Sequence, residues 1–163
     1  DPALAETALQ DLADLFRVLL ADARKLVPIS AEREISRQYL EIEKLRLGDR
    51  LKVSWHVNNV PRSALIPALT LQPLVENAIY HGIEPGAGPG KVLIRISRDQ
   101  DQVRLLLANP YHPEHQHRAG NHMALANIRE RLALHFDLEA NLATEVVGEK
   151  FEIRMTLPYR RQE

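Results

Sequence analysis

An α/β two-layer sandwich is the fold class that this sequence predicts: a mixed, mostly antiparallel sheet with helices on one face. Two observations predict it. From about residue 50 the elements run strand, helix, strand, strand, helix, strand, strand. Two of the strand pairs are joined by short polar turns, Asp99–Gln100–Asp101 and Gly148–Glu149, which suit antiparallel neighbours. Helices separated by hairpins fit a sheet covered on one side better than a doubly wound parallel sheet.

The elements follow in order. Asp1–Pro2 reads as an N-cap followed by proline at the first helical position. Leu9, Leu12, Phe16, Leu19 and Leu20 carry one apolar stripe to about residue 24. A second helix is expected over 31–46, with Ser30 as its cap, Ile35, Tyr39 and Ile42 along one side, and Gly48 as its stop. Leu51–Val57 alternates like a strand, in which Trp55 packs. A third helix is expected over 65–81, ended by Gly82 and the loop Glu84–Gly90. Lys91–Arg98 and Gln102–Ala108 form a hairpin. Asn109–Asn121 is a polar, His-rich loop. Met123–Phe136 is amphipathic, with Leu125, Ile128 and Leu132 on one face. Leu138–Val147 and Lys150–Leu157 form the second hairpin.

The bulk composition narrows the function. With 163 residues there is room for one domain with a real core, or for a domain plus an appended helical piece. Hydrophobic residues make up 45% and charged residues 26%, as in ordinary globular proteins. The 21 basic and 22 acidic residues nearly cancel, so no global field argues for nucleic acid or an anionic membrane surface. Without cysteine, disulfides, thiolate catalysis and Cys-based zinc sites are excluded. No apolar run reaches the length of a bilayer span. Because the chain opens at Asp1–Pro2 without an initiator Met, a piece of a longer protein is expected.

The richest stretch is LTLQPLVENAIYHG, residues 69–82. At helical spacing Leu71, Leu74, Val75, Ala78 and Ile79 form a core-facing stripe. Glu76, Asn77, Tyr80 and His81 fall on the other side, with Asn77 and His81 stacked one above the other. An Asn amide oxygen is a neutral hard ligand suited to Mg²⁺ already neutralised by phosphates. A histidine one turn on can donate to a phosphate oxygen, and a glutamate can orient a water or act as a base. On pattern alone, a solvated polar face is the commoner outcome. The loop Gly86–Gly90 matches no established phosphate-binding glycine motif. Gly120–Asn127 leads into a helix whose N-terminal N–H groups favour an anion. His112, Glu114, His115, His117 and His122 lack the spacing of a regular zinc site and read as a solvated loop. Asn127–Leu132 presents basic groups for pairing within its helix, for nucleotide phosphates or for a partner's acidic surface.

Taken together, LTLQPLVENAIYHGI, GNHMALANIRERLALHF and YLEIEKLRLGDRL (residues 39–51) resemble sensor histidine kinases of the LytS type. The resemblance runs from about Leu4 to Pro158. It implies the GHKL sandwich and a division into a helical segment over 1–48 and an ATP-binding catalytic domain over 49–163. It further implies ATP and Mg²⁺ as cofactors, with Asn77 as metal ligand and Glu76 in the catalytic role. Tyr80, His81, Asn109, Gly120, Leu125 and Asn127 would contact the nucleotide. The implied partners are a second copy, through the N-terminal helices by way of Leu12, Phe16 and Leu19, and a LytTR-type response regulator. Direct contact with nucleic acid and insertion of this fragment into a membrane are not implied. The implied place is the cytoplasmic part of a bacterial inner-membrane protein.

The family pattern is not fully kept. Ala108–Asn109–Pro110 stands where Asp-Asn-Gly is usual, and His122 and Ala124 stand where glycines are usual. Losing a carboxylate that pairs with the adenine amino group costs about 1–3 kcal/mol, or one to two orders of magnitude in affinity. None of the seven histidines stands in the family's phosphoacceptor motif. The rival expectation is a degenerate domain that acts as a dimerising interaction module with weak or no ATP binding. An ATPase of the wider GHKL class is disfavoured, because Pro73 occupies the place where those enzymes tend to carry a base carboxylate.

Overall fold

The computed structural model describes residues 2–19, 25–115 and 119–161; for 14–19, 115 and 119–122 it describes the backbone alone. The elements are α1 (Pro2–Leu19), β1 (Leu26–Pro28), α2 (Ile29–Leu47), β2 (Leu51–Asn58), β3 (Leu65–Pro67), α3 (Leu71–Asn77), β4 (Gly90–Asp99), β5 (Gln102–Pro110), α4 (Ala119–Phe136), β6 (Asn141–Val147) and β7 (Lys150–Pro158). A π-helical turn, Ala78–Ile83, continues α3.

Five strands form one sheet in the order β2-β4-β5-β7-β6. Only β2–β4 is parallel; the other pairs are antiparallel. The mixed, mostly antiparallel sheet expected from the hairpins is the sheet observed. Side chains alternate across it, as the period of two requires. Ile94, Leu107 and Ile153 are in register across three strands, as are Ile96, Leu105 and Met155, and all six are buried. Arg95, Arg104 and Arg154 point to the open face and are exposed. The buried face is covered by Leu71, Leu74 and Val75 of α3 and by Leu125, Ile128, Leu132 and Phe136 of α4. Burying such a side chain stabilises by about 1.5–3 kcal/mol. Helices on one face and an apolar sheet beneath follow from that pairing.

Three expectations need correction. The segment 65–81 is not one helix. Leu65–Pro67 is a strand that pairs antiparallel with Leu26–Pro28, and Leu69 then turns at φ 61 before α3 begins. The strand is decided by a partner about forty residues earlier, which no local pattern reveals. Secondly, α2 begins at Ile29, delivered by the β1 pairing with Pro28 at the cap position, so Ser30 does not cap it. The Ser30 hydroxyl donates to the Arg62 carbonyl at 3.3 Å instead.

Thirdly, the buried face of α2 is not the Ile35–Tyr39–Ile42 side. It comprises Ile29, Glu32, Ser36, Tyr39, Leu40, Glu43 and Leu47, and Ile35 and Ile42 are only half-buried. Leu12 and Leu9, both partly buried, pack against the core, and α1 packs on α2. The side chains of Phe16 and Leu19, the cap at Asp1 and residues 20–24 lie outside the described residues. The expected stop at Gly48 stands: its φ of 60 is left-handed, and its N–H bonds to the Lys44 carbonyl.

Candidate nucleotide site

The site is built on α3. Its apolar stripe is nailed to the core, with Leu71, Leu74 and Val75 at 0% exposure, Ala78 at 1% and Ile79 at 2%. This fixes the orientation of the polar residues between them. Pro73 is tolerated because it lies in the first turn, where no intrahelical donor is lost. After Asn77 the helix widens into the π turn, a form frequent at functional sites. Gly82, expected to stop the helix, lies buried inside that turn. A Cβ there would stand 2.5 Å from Asn109 Nδ2 and 2.8 Å from Asn109 Cβ. Glycine is required because Asn109, at the end of β5, packs directly on the turn.

Asn77, His81 and Asn109 line one cavity, together with Ala78, Pro110, Phe151 and Ile153. Three of the sequence-derived site residues therefore meet between α3, β5 and β7. Asn109 is 5% exposed, and its Nδ2 donates to the Pro110 carbonyl at 2.8 Å. The cavity measures about 10 Å³, which is room for a single water. Pro110 belongs to the Ala108–Asn109–Pro110 stretch that the resemblance sets beside adenine, and Phe151 pairs with Asn109 across β5 and β7.

The other candidates fall elsewhere. Tyr80 is half-exposed and stands edge-on to the His81 ring at 4.8 Å, outside the cavity lining. Glu76 and Asn127 line a separate groove of about 260 Å³ with Ala13, Leu69, Gln72, Pro73, Ala124 and Arg131. Leu125 is a core residue of α4. Gly120 lies in the first turn of α4, and its surroundings are outside the described residues, as are the side chains of His115, His117 and His122. His112 is half-buried, with its Nε2 2.9 Å from the Gly82 carbonyl. Among the described residues no His, Asp or Glu cluster could hold a metal ion by itself.

Several supporting residues escaped the sequence reading. Glu32, at 0% exposure, accepts N–H bonds from Leu69, Thr70 and Leu71, the free donors at the start of α3. Burial pushes its carboxyl up to about 7, against the pull of those donors and of the Arg131 charge. Burial lowers Arg131 in turn, and its guanidinium donates to the Leu69 carbonyl. Ser36 Oγ donates to Gln72 Oε1 at 3.0 Å, and Gln72 Nε2 reaches Glu76 at 3.4 Å. Glu43 is buried in a two-pronged pair with Arg46, which also holds Glu84. Burial, and then the fields of Glu43, Glu76 and Glu84, raise the Tyr39 hydroxyl well above its ordinary value and keep it neutral. Arg50 Nη2 donates to the carbonyls of Ile83, Glu84 and Gly86, which clamps the start of the glycine loop. The available signal was spacing: Glu32, Ser36, Tyr39 and Glu43 recur at helical intervals on the face shared with Leu40 and Leu47.

Known proteins share this fold, and some share about a third of this sequence. A family model described as histidine kinase matches residues 1–51. A sensor protein LytS of Oceanobacillus iheyensis is 31% identical over 174 aligned positions, covering 96% of this chain and 30% of the relative. Full-length ShkA, solved in complex with AMPPNP, superposes with a TM-score of 0.59 at 20% identity, over 99% of this chain and 37% of that one. Histidine kinase ThkA, solved in complex with the response regulator TrrA, superposes with a TM-score of 0.59 at 12% identity, over 83% of this chain and 42% of that one. The fold is that of histidine kinase catalytic domains. The chain spans about 30% of the length of the curated LytS relatives. Within those bounds it belongs to the sensor histidine kinases, of the LytS type.

Proposed function

We propose that the chain is the catalytic part of a two-component sensor kinase. It binds Mg²⁺–ATP and directs phosphoryl transfer to a histidine on a helix that this chain does not contain. Relay then goes to an aspartate of a LytTR-type response regulator. The observation that carries the reading is the meeting of Asn77, His81 and Asn109 at one end of a core-anchored helix. The donor set suits a phosphate-bound Mg²⁺: the Asn77 amide oxygen is a neutral hard ligand, and His81 can donate to a phosphate oxygen. Bound Mg²⁺ supplies neutralisation of phosphate charge. Glu76, from the adjacent groove, would orient a water of the metal shell or serve as base. Tyr80, Asn109, Gly120, Leu125 and Asn127 complete the proposed nucleotide contacts, the buried Leu125 through its backbone. We assign the division into helices over 1–48 and a catalytic domain over 49–163, dimerisation through α1, and a cytoplasmic position in a membrane sensor to the same proposal. Among the described residues no helix is long and apolar enough to cross a membrane.

A second reading is a degenerate domain that works by protein contact, with weak or no ATP binding. The cavity of about 10 Å³, with Pro110 and Phe151 in its lining, favours it. Calorimetric titration of Mg²⁺–ATP into the chain separates the two. The first reading expects saturable heat below millimolar nucleotide, abolished in Asn77→Asp, whose added charge disturbs the Mg²⁺–phosphate balance. No heat and no rise in melting temperature at millimolar Mg²⁺–ATP overturns it for this chain.

A further inference from the structure

Side chains of α2 bond to the start of α3 and to Glu84, just past the π turn. Glu32 takes the N–H groups of Leu69, Thr70 and Leu71. Ser36, one turn later, bonds to Gln72, which reaches Glu76. Glu43 holds Arg46, which holds Glu84 just past the π turn. The first contact is the most consequential. Thr70, the cap residue of α3, spends its hydroxyl on the Pro67 carbonyl at 2.6 Å and makes no side-chain cap bond. The cap is supplied by a different element, from a carboxylate 37–39 positions earlier in the chain. Arg131 of α4 holds the same turn through the Leu69 carbonyl.

A buried carboxylate cannot drop its donors without leaving unsatisfied polar groups on both sides, so α2 and α3 move together. A surface contact would slip; here the carboxyl group is fully buried. We propose that Glu32 is a positioning residue, through which the placement of α2 sets the placement of α3 and of Asn77. The functional consequence rests on the reading of Asn77 as a nucleotide residue. α2 follows α1, so a displacement arriving along the N-terminal helices would reach Asn77 by this contact.

The test uses the whole chain and three variants: Glu32→Gln, Glu32→Asp and, as a control on the exposed side of the same helix, Glu34→Gln. Amide hydrogen exchange at 69–71 and the Asn77 side-chain amide resonance report on position; Mg²⁺–ATP titration reports on function. Glu32→Gln is expected to speed exchange at 69–71 at least tenfold more than elsewhere, to shift the Asn77 resonance and to weaken Mg²⁺–ATP at least fivefold. Glu32→Asp, which keeps the carboxylate, is expected to restore part of each effect and remains informative if Glu32→Gln does not fold. Glu34→Gln is expected to change none of them. A uniform rise in exchange with an unmoved Asn77 resonance overturns the proposal. If the unaltered chain fails to bind nucleotide, the nucleotide reading falls, and the Asn77 resonance still decides the positioning role.

Discussion

Replacing Glu32 by Gln keeps the shape and removes the titration, which turns the buried cap into a measurable pH dependence. In the folded chain burial pushes the Glu32 carboxyl from its ordinary 4.5 up to about 7, outweighing three N–H donors and Arg131. The unfolded chain returns it to the ordinary value. Between those two points the folded state binds the extra proton, so stability falls as pH rises. The contribution is fully present below 4.5 and is lost as pH climbs through about 7. That interval, at about 1.4 kcal/mol per pH unit, amounts to about 3 kcal/mol. Urea unfolding followed by Trp55 fluorescence, run from about pH 4.5 to 8, gives the stability of both proteins. The advantage of the unaltered chain over Glu32→Gln should shrink by about 3 kcal/mol across the range. Taking the difference cancels surface groups such as Glu34, which Arg37 holds down to about 2 and which act at lower pH. A difference that stays flat, or grows with pH, refutes the reasoning. It would mean that the donors win over desolvation and that Glu32 is ionised throughout.

Three further outcomes are expected. Gly82→Ala drives a methyl into the Cβ and amide of Asn109 and should cost about 1–3 kcal/mol, read as a lowered unfolding midpoint. Arg50→Ala frees three carbonyls at the start of the glycine loop; proteolytic nicking within 84–90 should accelerate while the core melts within about 3 kcal/mol of the original. Phe151→Ala widens the cavity on the side where adenine is expected. It should strengthen Mg²⁺–ATP binding if closure there limits the affinity, at a stability cost below the about 3–5 kcal/mol of a fully buried Phe.

The parts of the fold that were legible in the sequence are those governed by local rules. The stripe Leu71, Leu74, Val75, Ala78, Ile79 is read from period alone and is buried as read. The hairpin turns are read from polar residues that accept left-handed backbone, and Gln100 and Gly148 adopt it at φ 55 and φ 61. What was not legible depends on distant partners. Leu65–Pro67 becomes a strand because Leu26–Pro28 offers an edge. The burial of Glu32 and Glu43 was not read from the sequence: Glu32 is satisfied by N–H groups of residues 69–71, far along the chain, and Glu43 by Arg46 one turn on. The polar face of α3 was visible as a unit, but not its division. One residue of rotation sends Glu76 to the groove toward α4 and Asn77 to the cavity toward β5 and β7.

That division bears on how the site is made. A helix of seven residues with a proline inside it has little stability of its own. Its start is capped from α2, its stripe is held by the sheet, and its end opens into a π turn wedged against Asn109. The position of Asn77 is thus a tertiary property, set by contacts from three elements and not by helix propensity. This explains residues of the string LQPLVENAIYHG that a nucleotide reading alone leaves idle. Gln72 is there to join Ser36 to Glu76, and Gly82 is there to admit Asn109. On the proposed reading Asn77 would bear a ligand within a frame held by Gln72 and Gly82. A variant that damages the frame should therefore resemble a variant of Asn77 in binding while differing from it in stability.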